Sequence, residues 1–311
     1  MGRNYDFLKR LPPEERNYIM EVMAESLIEE AKQDLPVEIV NVGDQQKEAL
    51  HIMQNAGKLV GFSTGIRKLD DIMLGMDKED LIVIGGRPGH GKSLLMQKVA
   101  LSVASEGNAI LYVSLEMSVP QQIARFYTMA KTQFGNDVVE QISKMPIYFY
   151  NGKDSMTLGV LDKALETAVK DYGVKMCFID HLHYFSHSTD NVASEIGTIV
   201  RAIKGFARKY SMPIMVISTL RKSNGNMPDS AELKDSVMIE YDADLILMIW
   251  RDIDGESHPT NQLTIRVRKN RPRGKIGGLM MEITPNYDLI EWKDSDITRK
   301  EVRDILGEKD D

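Results

Sequence analysis

The stretch that most restricts the fold is "LIVIGGRPGHGKSLLMQKVALSVA" at residues 81–104. Its first six residues are apolar and largely β-branched, which reads as a strand buried on both faces. From Lys92 onward apolar residues recur at helical spacing. Between them, Gly86 through Ser93 satisfies G-x-x-x-x-G-K-[ST]. A buried strand that turns through such a loop directly into a helix points to a mostly parallel sheet covered by helices, with the loop at the carboxyl edge where such sheets bind ligands. The glycines let the backbone close around an anion, and successive N–H groups at the helix start point at it. Gly86, Arg87, Pro88, Gly89, His90, Gly91, Lys92, Ser93 and Leu94 are therefore the candidate nucleotide-binding residues. Lys92 is expected to reach the β- and γ-phosphates of ATP and Ser93 to hold Mg2+. The competing reading is a glycine-rich turn before an ordinary helix, and the strand–loop–helix context weighs against it.

The same pattern continues on either side of the loop. "AILYVSLE" (109–116), "MPIYFY" (145–150), "KMCFID" (175–180), "MPIMVIST" (212–219) and "ADLILMIW" (243–250) are short apolar runs. Helical periodicity fills 92–105, 118–132, 157–172 and 192–210 between them. "QLTIRVRK" (262–269), "LMMEIT" (279–284) and "DLIEW" (288–292) follow across short turns. The expected fold class is α/β: a mostly parallel sheet with helices on both faces and antiparallel C-terminal strands. Ahead of it, 12–33 reads as a helix and "QDLPVEIVNVGDQQKEAL" as a linker into a second short one. This front piece, 1–61, is too small for a core of its own and reads either as a helical arm that docks on a neighbouring copy or as a mobile tail. The main domain is expected over 62–293 and a polar tail over 294–311.

Composition limits the class further. In 311 residues, 42% hydrophobic and 27% charged is the balance of a chain that buries a real core. One cysteine, Cys177, excludes an internal disulfide framework and a cysteine-rich zinc site. The start, "MGRNYDFLKRLPPEERNYIM", has no apolar leader core, and no apolar stretch is long enough for a bilayer, so no membrane partner and a reduced, cytoplasmic setting are expected. His183 in "DHLHYF" stands beside a strand end, where a hydrogen-bonded histidine is expected rather than a metal ligand.

The formal charge is -7, yet 266–275 reads "RVRKNRPRGK", with Arg266, Arg268, Lys269, Arg271, Arg273 and Lys275 in ten positions. A solvated edge strand is one explanation, since Lys and Arg on an edge discourage aggregation. Along a strand, alternation would send Lys269, Arg271 and Arg273 one way and Arg266 and Arg268 the other.

Two carboxylates could complete a hydrolytic site. Asp180 ends "KMCFID", where a Walker B aspartate leaves its strand toward Mg2+; a strand-terminal Asp capping the next turn is the alternative. Glu116 ends "AILYVSLE" at the same sheet edge and could polarise water as a general base, or could simply begin a helix at the surface.

Taken together, these segments resemble the DnaB-like replicative helicase family, including the helicase half of phage primase–helicases, over roughly residues 62–292. "STGIRKLDDIMLGM" resembles the family's segment before the P-loop, "GRPGHGKS" its Walker A, "SLEMS" its glutamate segment and "FIDHL" its Walker B. "LKDSVMIEYDADLILMIWRD" is similar to the segment linking a DNA loop to a core strand, and "VRKNRPRG" to a K-x-R finger. The resemblance implies a RecA-like ATPase that forms a ring, a hexamer in the family, around single-stranded DNA and moves 5′ to 3′. It implies that Lys92 and Ser93 bind phosphate and Mg2+, Glu116 activates water and Asp180 holds the metal. Lys269 and Arg271 would be the finger that enters a neighbour's site, where arginine fingers are worth about 10³–10⁵ in rate. It further implies a primase and a helicase loader as partners and a bacterial or phage-infected cytoplasm; the reduced chain suggests a phage or mobile-element origin.

The chain departs from the family pattern in two places. Thr219 stands where the family carries Gln or His as a γ-phosphate sensor, and it reaches less far. In the DNA loop, Lys234, Asp235, Ser236 and Val237 replace Arg-Glu-Ser-Gly, and Lys lacks the guanidinium fork. Arg221, Lys222 and Lys234 are the expected phosphate contacts, with Asp235 and Ser236 beside them; such contacts track a backbone without reading bases. The leading expectation is an ATP-dependent DNA helicase. The alternative is a RecA-fold, nucleotide-switched DNA-binding assembly, a recombination or helicase-loading protein with slow hydrolysis. A small-molecule P-loop kinase would leave the basic finger without a purpose.

Overall fold

The computed structural model describes residues 40–152, 156–185, 192–219, 237–253 and 258–291. The helix expected over 12–33 and the tail from 294 lie outside the described residues. The chain divides into two units, Met1–Gln54 and Asn55–Asp311. In the first, α1 (Gln46–Gln54) buries none of its side chains.

The second unit runs α2 (Arg67–Met73), β1 (Leu81–Gly86), α3 (Lys92–Ser105), β2 (Ile110–Ser114), α4 (Val119–Phe134), α5 (Val138–Ser143), β3 (Ile147–Phe149), α6 (Leu158–Tyr172), β4 (Met176–Asp180), α7 (Val192–Lys209), β5 (Ile214–Thr219), α8 (Val237–Asp242), β6 (Leu245–Ile253), β7 (Pro259–Asn270), β8 (Gly277–Ile283) and β9 (Leu289–Glu291). Among the described residues these strands form one sheet in the order β3-β2-β4-β5-β1-β6-β7-β8-β9. The six strands from β3 to β6 are parallel, and β7, β8 and β9 add as antiparallel neighbours. No helix among the described residues is long and apolar enough to cross a membrane.

The continuous apolar runs are explained by two cores, one on each face of the sheet. Ile82, Ile84, Ile110, Tyr112, Met176 and Phe178 point into the layer of α2, α3, α4 and α5. Their chain neighbours Leu81, Val83, Leu111, Val113, Cys177 and Ile179 point into the layer of α6, α7 and α8. Alternate residues thus serve opposite cores, and each fully buried aliphatic side chain contributes about 1.5–3 kcal/mol. Local signals place the helix ends. The Thr157 hydroxyl accepts the Val160 N–H at the start of α6 (3.2 Å), and Gly173 closes it in the left-handed conformation.

Several polar side chains are buried together with their partners. Asp70, in α2, accepts from the Ser63 hydroxyl (2.6 Å) and from both the N–H and hydroxyl of Thr64 (2.8 Å each). This fixes the entry into α2 and accounts for the "STG…LD" spacing. At the amino edge of the parallel strands, Asp244 accepts the Leu81 N–H (2.8 Å) and the Lys204 ammonium (2.7 Å). Asp80 beside it pairs with Arg273 at 2.9 Å.

The basic stretch does not follow strict alternation. Pairing of β6 with β7 skips Arg268: Lys269 lies opposite Ile246, but Val267 lies opposite Leu247. Such a bulge breaks the two-residue period. β7 then ends at Asn270, so 271–273 belong to a turn. Lys269 donates to the carbonyls of Glu240 and Tyr241, and Arg271 donates to the Tyr241 carbonyl, both on α8. Arg273 turns away from them to Asp80.

Candidate functional site

Strand register assembles the site. Gly86 is paired with Thr219 at the ends of β1 and β5, and Ser114 with Asp180 at the ends of β2 and β4. The Leu115 N–H donates to the Asp180 carbonyl at 2.9 Å, so the segments bearing Glu116 and Asp180 leave the sheet side by side. Together with the loop before α3 they line a cleft of about 910 Å³. Pro88, Gly89, Gly91, Lys92, Ser93, Leu94, Glu116, Asp180 and Thr219 all face it.

The loop conformation depends on its glycines. Gly91 has φ +91°, a region that side chains rarely adopt, and a Cβ on Gly86 would lie 2.8 Å from the Ile249 carbonyl oxygen. Lys92 is buried, and its ammonium is held by the carbonyls of Gly86 and Arg87, each at 2.8 Å. Burial pulls this lysine down to about 8, while Asp180 and Glu116 attract its charge and oppose the fall. A phosphate arriving in the loop would supply the full counter-charge that two carbonyls do not.

Asp180 is 3% exposed. Burial pushes its carboxyl above the ordinary range, and a hydrogen bond with Ser93, then the charges of His181 and Lys92, pull it partly back. Its Oδ1 has no hydrogen-bond partner. An orphaned buried carboxylate oxygen beside a serine hydroxyl suits a hard divalent cation with oxygen ligands. Among the described residues there is no group of three His, Cys, Asp or Glu that could hold a metal.

Glu116 is half exposed, with its Oε2 4.0 Å from the His181 Nε2. His181, which motif reading passes over in favour of His183, lines the cleft. Burial lowers its imidazole, against the opposite pull of Asp180 and Glu116. His90 belongs to the loop, yet its Nδ1 accepts the Arg251 N–H at 2.9 Å. Its ring is therefore committed to β6. The Arg251 guanidinium in turn donates to the carbonyls of Thr260 (2.6 Å), Pro259 (3.1 Å) and Gly89 (3.4 Å). Arg251 and Tyr287 also line the cleft; neither is singled out by the sequence reading, although Arg251 lies within the segment "LKDSVMIEYDADLILMIWRD".

Lys269 and Arg271 are not brought to this cleft. Asn270 pairs with Leu245, and Leu245 with Ile82, so these two residues lie at the amino edge of the parallel strands. The six residues of β1 span about 20 Å between that edge and the loop, far beyond one side chain's reach. Arg221, Lys222, Lys234, Asp235 and Ser236 lie outside the described residues.

Residues 61–291 match the family model of the DnaB-like helicase C terminal domain. A probable replicative DNA helicase of Trieres chinensis is 25% identical, over 91% of this chain and 69% of that protein. The replicative DNA helicase DnaB of Mycoplasma genitalium is 29% identical, over 78% of this chain and 61% of that protein. Against the DnaB of Helicobacter pylori, strain J99, at 28% identity, the chain spans only 49% of the relative's length. Among solved structures, a separately solved ATPase domain superposes with a TM-score of 0.72 at 22% identity, covering 82% of this chain and all of that one. A DnaB-like replicative helicase, described with its interactions with primase, gives a TM-score of 0.69 at 19% identity, covering 87% of this chain and 71% of that one. These likenesses agree with the RecA-like core expected from the sequence.

Proposed function

From the premise that this chain belongs to the DnaB-like helicase C-terminal domain family, we propose that it is an ATP-dependent DNA helicase acting as a ring, a hexamer, on single-stranded DNA. The observation that carries the reading is the division of the chemistry between two sheet edges. Phosphate-binding, metal-holding and water-activating candidates share the carboxyl edge, while the two basic finger residues stand at the amino edge of the same sheet.

In this reading the loop N–H groups and Lys92 bind the ATP phosphates, and Ser93 and Asp180 would hold Mg2+. The ion would offset the negative charge that builds on the β- and γ-phosphate oxygens. Glu116 takes the proton of the attacking water, and its exposed position leaves room for that water. Lys269 and Arg271 leave the α8 carbonyls and donate to the γ-phosphate bound by another copy. Thr219, next to Asp180's strand and paired with Gly86, reports the γ-phosphate to the segment that follows it. That segment carries Arg221, Lys222, Lys234, Asp235 and Ser236, which contact the DNA backbone. Movement 5′ to 3′, a primase and a loader as partners, and a cytoplasmic setting belong to the same proposal.

The second reading is a nucleotide-switched assembly with slow hydrolysis, and Thr219 favours it because a short hydroxyl couples phosphate to DNA less strongly than a long amide. Steady-state ATP hydrolysis with and without single-stranded DNA, followed by strand-separation assays, decides between them. The helicase reading expects DNA-stimulated turnover that Glu116→Gln lowers about a hundredfold or more, the scale of losing a general base. Tight nucleotide binding with negligible turnover, DNA present or not, would replace it with the switch.

A further inference from the structure

The segment from Leu115 to Ser118, between β2 and α4, carries Glu116 but has no regular structure to hold it. Beyond the Leu115 N–H bond to the Asp180 carbonyl, it is held by side chains. Gln97, one helical turn beyond Ser93 on α3, donates from Nε2 to the Gln122 Oε1 at 2.5 Å. Gln122, on α4, donates from its own Nε2 to the Ser114 hydroxyl at 2.8 Å. That hydroxyl donates to the Met117 carbonyl (2.9 Å) and accepts the Met117 N–H (3.3 Å). One donor and two acceptor positions are all a serine hydroxyl has, and Ser114 uses all three. On the far side of Glu116, the Ser118 N–H donates to the Gln121 Oε1 at 3.0 Å.

Gln97 is 2% exposed and Gln122 fully buried. Two buried amides bonded to each other add little net stability over apolar groups of the same shape. What they supply is direction. Because Gln122 donates to Ser114, the serine proton is turned onto the Met117 carbonyl, and the turn beside Glu116 is locked to α4. Because Gln97 donates to Gln122, α4 is locked to the helix that begins with Lys92 and Ser93. The chain of bonds joins the wall of the cleft that holds phosphate to the wall that holds the carboxylate.

We propose that Gln122 is a positioning residue for hydrolysis: through Ser114 and Met117 it sets the Glu116 carboxylate against the phosphate site, with Gln97 as its tether to the phosphate-binding helix. The inference rests on the proposed role of Glu116. A displacement of about 1 Å in a reacting group costs on the order of a hundredfold, so the loss expected on cutting this path is about 10- to 100-fold in kcat.

The test uses the full chain with Gln122→Met, Gln122→Glu, Gln97→Met with Gln122→Met, and Glu116→Gln alone and combined with Gln122→Met. Turnover with single-stranded DNA, nucleotide affinity and thermal midpoint are measured for each. The expected result is a lowered kcat in every Gln122 variant, including the carboxylate, which has the same length but cannot donate to Ser114. KM and nucleotide affinity stay within about twofold, because the phosphate loop keeps its own contacts. The double Met variant melts near the unmodified protein, since both polar partners are gone, yet hydrolyses slowly. In the Glu116→Gln background, Gln122→Met lowers the residual rate no further. An unchanged kcat in Gln122→Met or Gln122→Glu, a parallel loss of nucleotide affinity, or an additive loss in the Glu116→Gln background overturns the inference and leaves the role of Glu116 standing. Undiminished turnover in Glu116→Gln itself overturns that role, and the inference with it.

Discussion

Arg271 and Arg273 are two positions apart and of identical chemistry, yet the structure gives them different surroundings. Arg273 is nearly enclosed and pairs with the enclosed Asp80 at 2.9 Å. Burial pushes the Asp80 carboxyl above its ordinary range, and the guanidinium brings it only part of the way back. Removing that guanidinium strands a buried acid, which typically costs about 3–5 kcal/mol. Because Asp80 can take up a proton, we expect Arg273→Ala to fall at the lower end of that range in urea unfolding. Arg271 is half exposed, and its neighbour Asp244, 3.6 Å away, keeps the Lys204 ammonium in any case. Arg271→Ala should therefore change unfolding stability by less than about 1 kcal/mol. A destabilisation as large as that of Arg273→Ala would make Arg271 a structural residue and remove it from the finger. No sequence rule separates the two: alternation groups them, and only the turn after Asn270 divides them.

At the scale of elements, strands and helices were legible because their periods are set by which faces are buried. "LIVIGG" reads as a doubly buried strand, and it is one. The phosphate loop was legible for a related reason, since anion binding demands glycines at fixed offsets. What escaped were polar residues whose partners are distant in the chain. Gln97 is one of the few polar residues in a helix buried on most sides, and Asp244, just ahead of β6, lies 163 residues from the Leu81 N–H it accepts. Such residues read as solvent-facing until the fold supplies the partner. Asp162 on α6 is a further example. The Lys209 ammonium, at the end of α7, and the Tyr210 hydroxyl hold its carboxyl below the ordinary range. A folded value below the unfolded one means stability present above about pH 4 and lost as pH falls through the folded value. Thermal melts should thus show Asp162→Ala lowering the midpoint slightly at pH 7 and progressively less as the pH falls below about 4. The effect is small because the pair is solvent-screened; an equal shift at every pH would mean that packing, not charge, joins the two helices there.

At the scale of the whole molecule, the cleft and the pair Lys269 and Arg271 occupy opposite edges of one sheet, and under the proposed function a complete site needs two copies. On that proposal Glu116→Gln would spoil the cleft of the copy that carries it, whereas Arg271→Ala would spoil the site of the copy next to it. Mixing the two inactive proteins should restore hydrolysis, since by random assembly about a quarter of the head-to-tail junctions join an intact cleft to an intact finger. Turnover that stays at the level of the separate variants would mean that each copy works alone. A unit with its socket on one rim and its plug on the other is an arrow, and arrows that join plug to socket all point the same way. No such assembly can be turned end for end onto itself. Whether it closes or winds on, it is a track with a built-in forward sense, inherited from nothing more than parallel strands that all run in one direction.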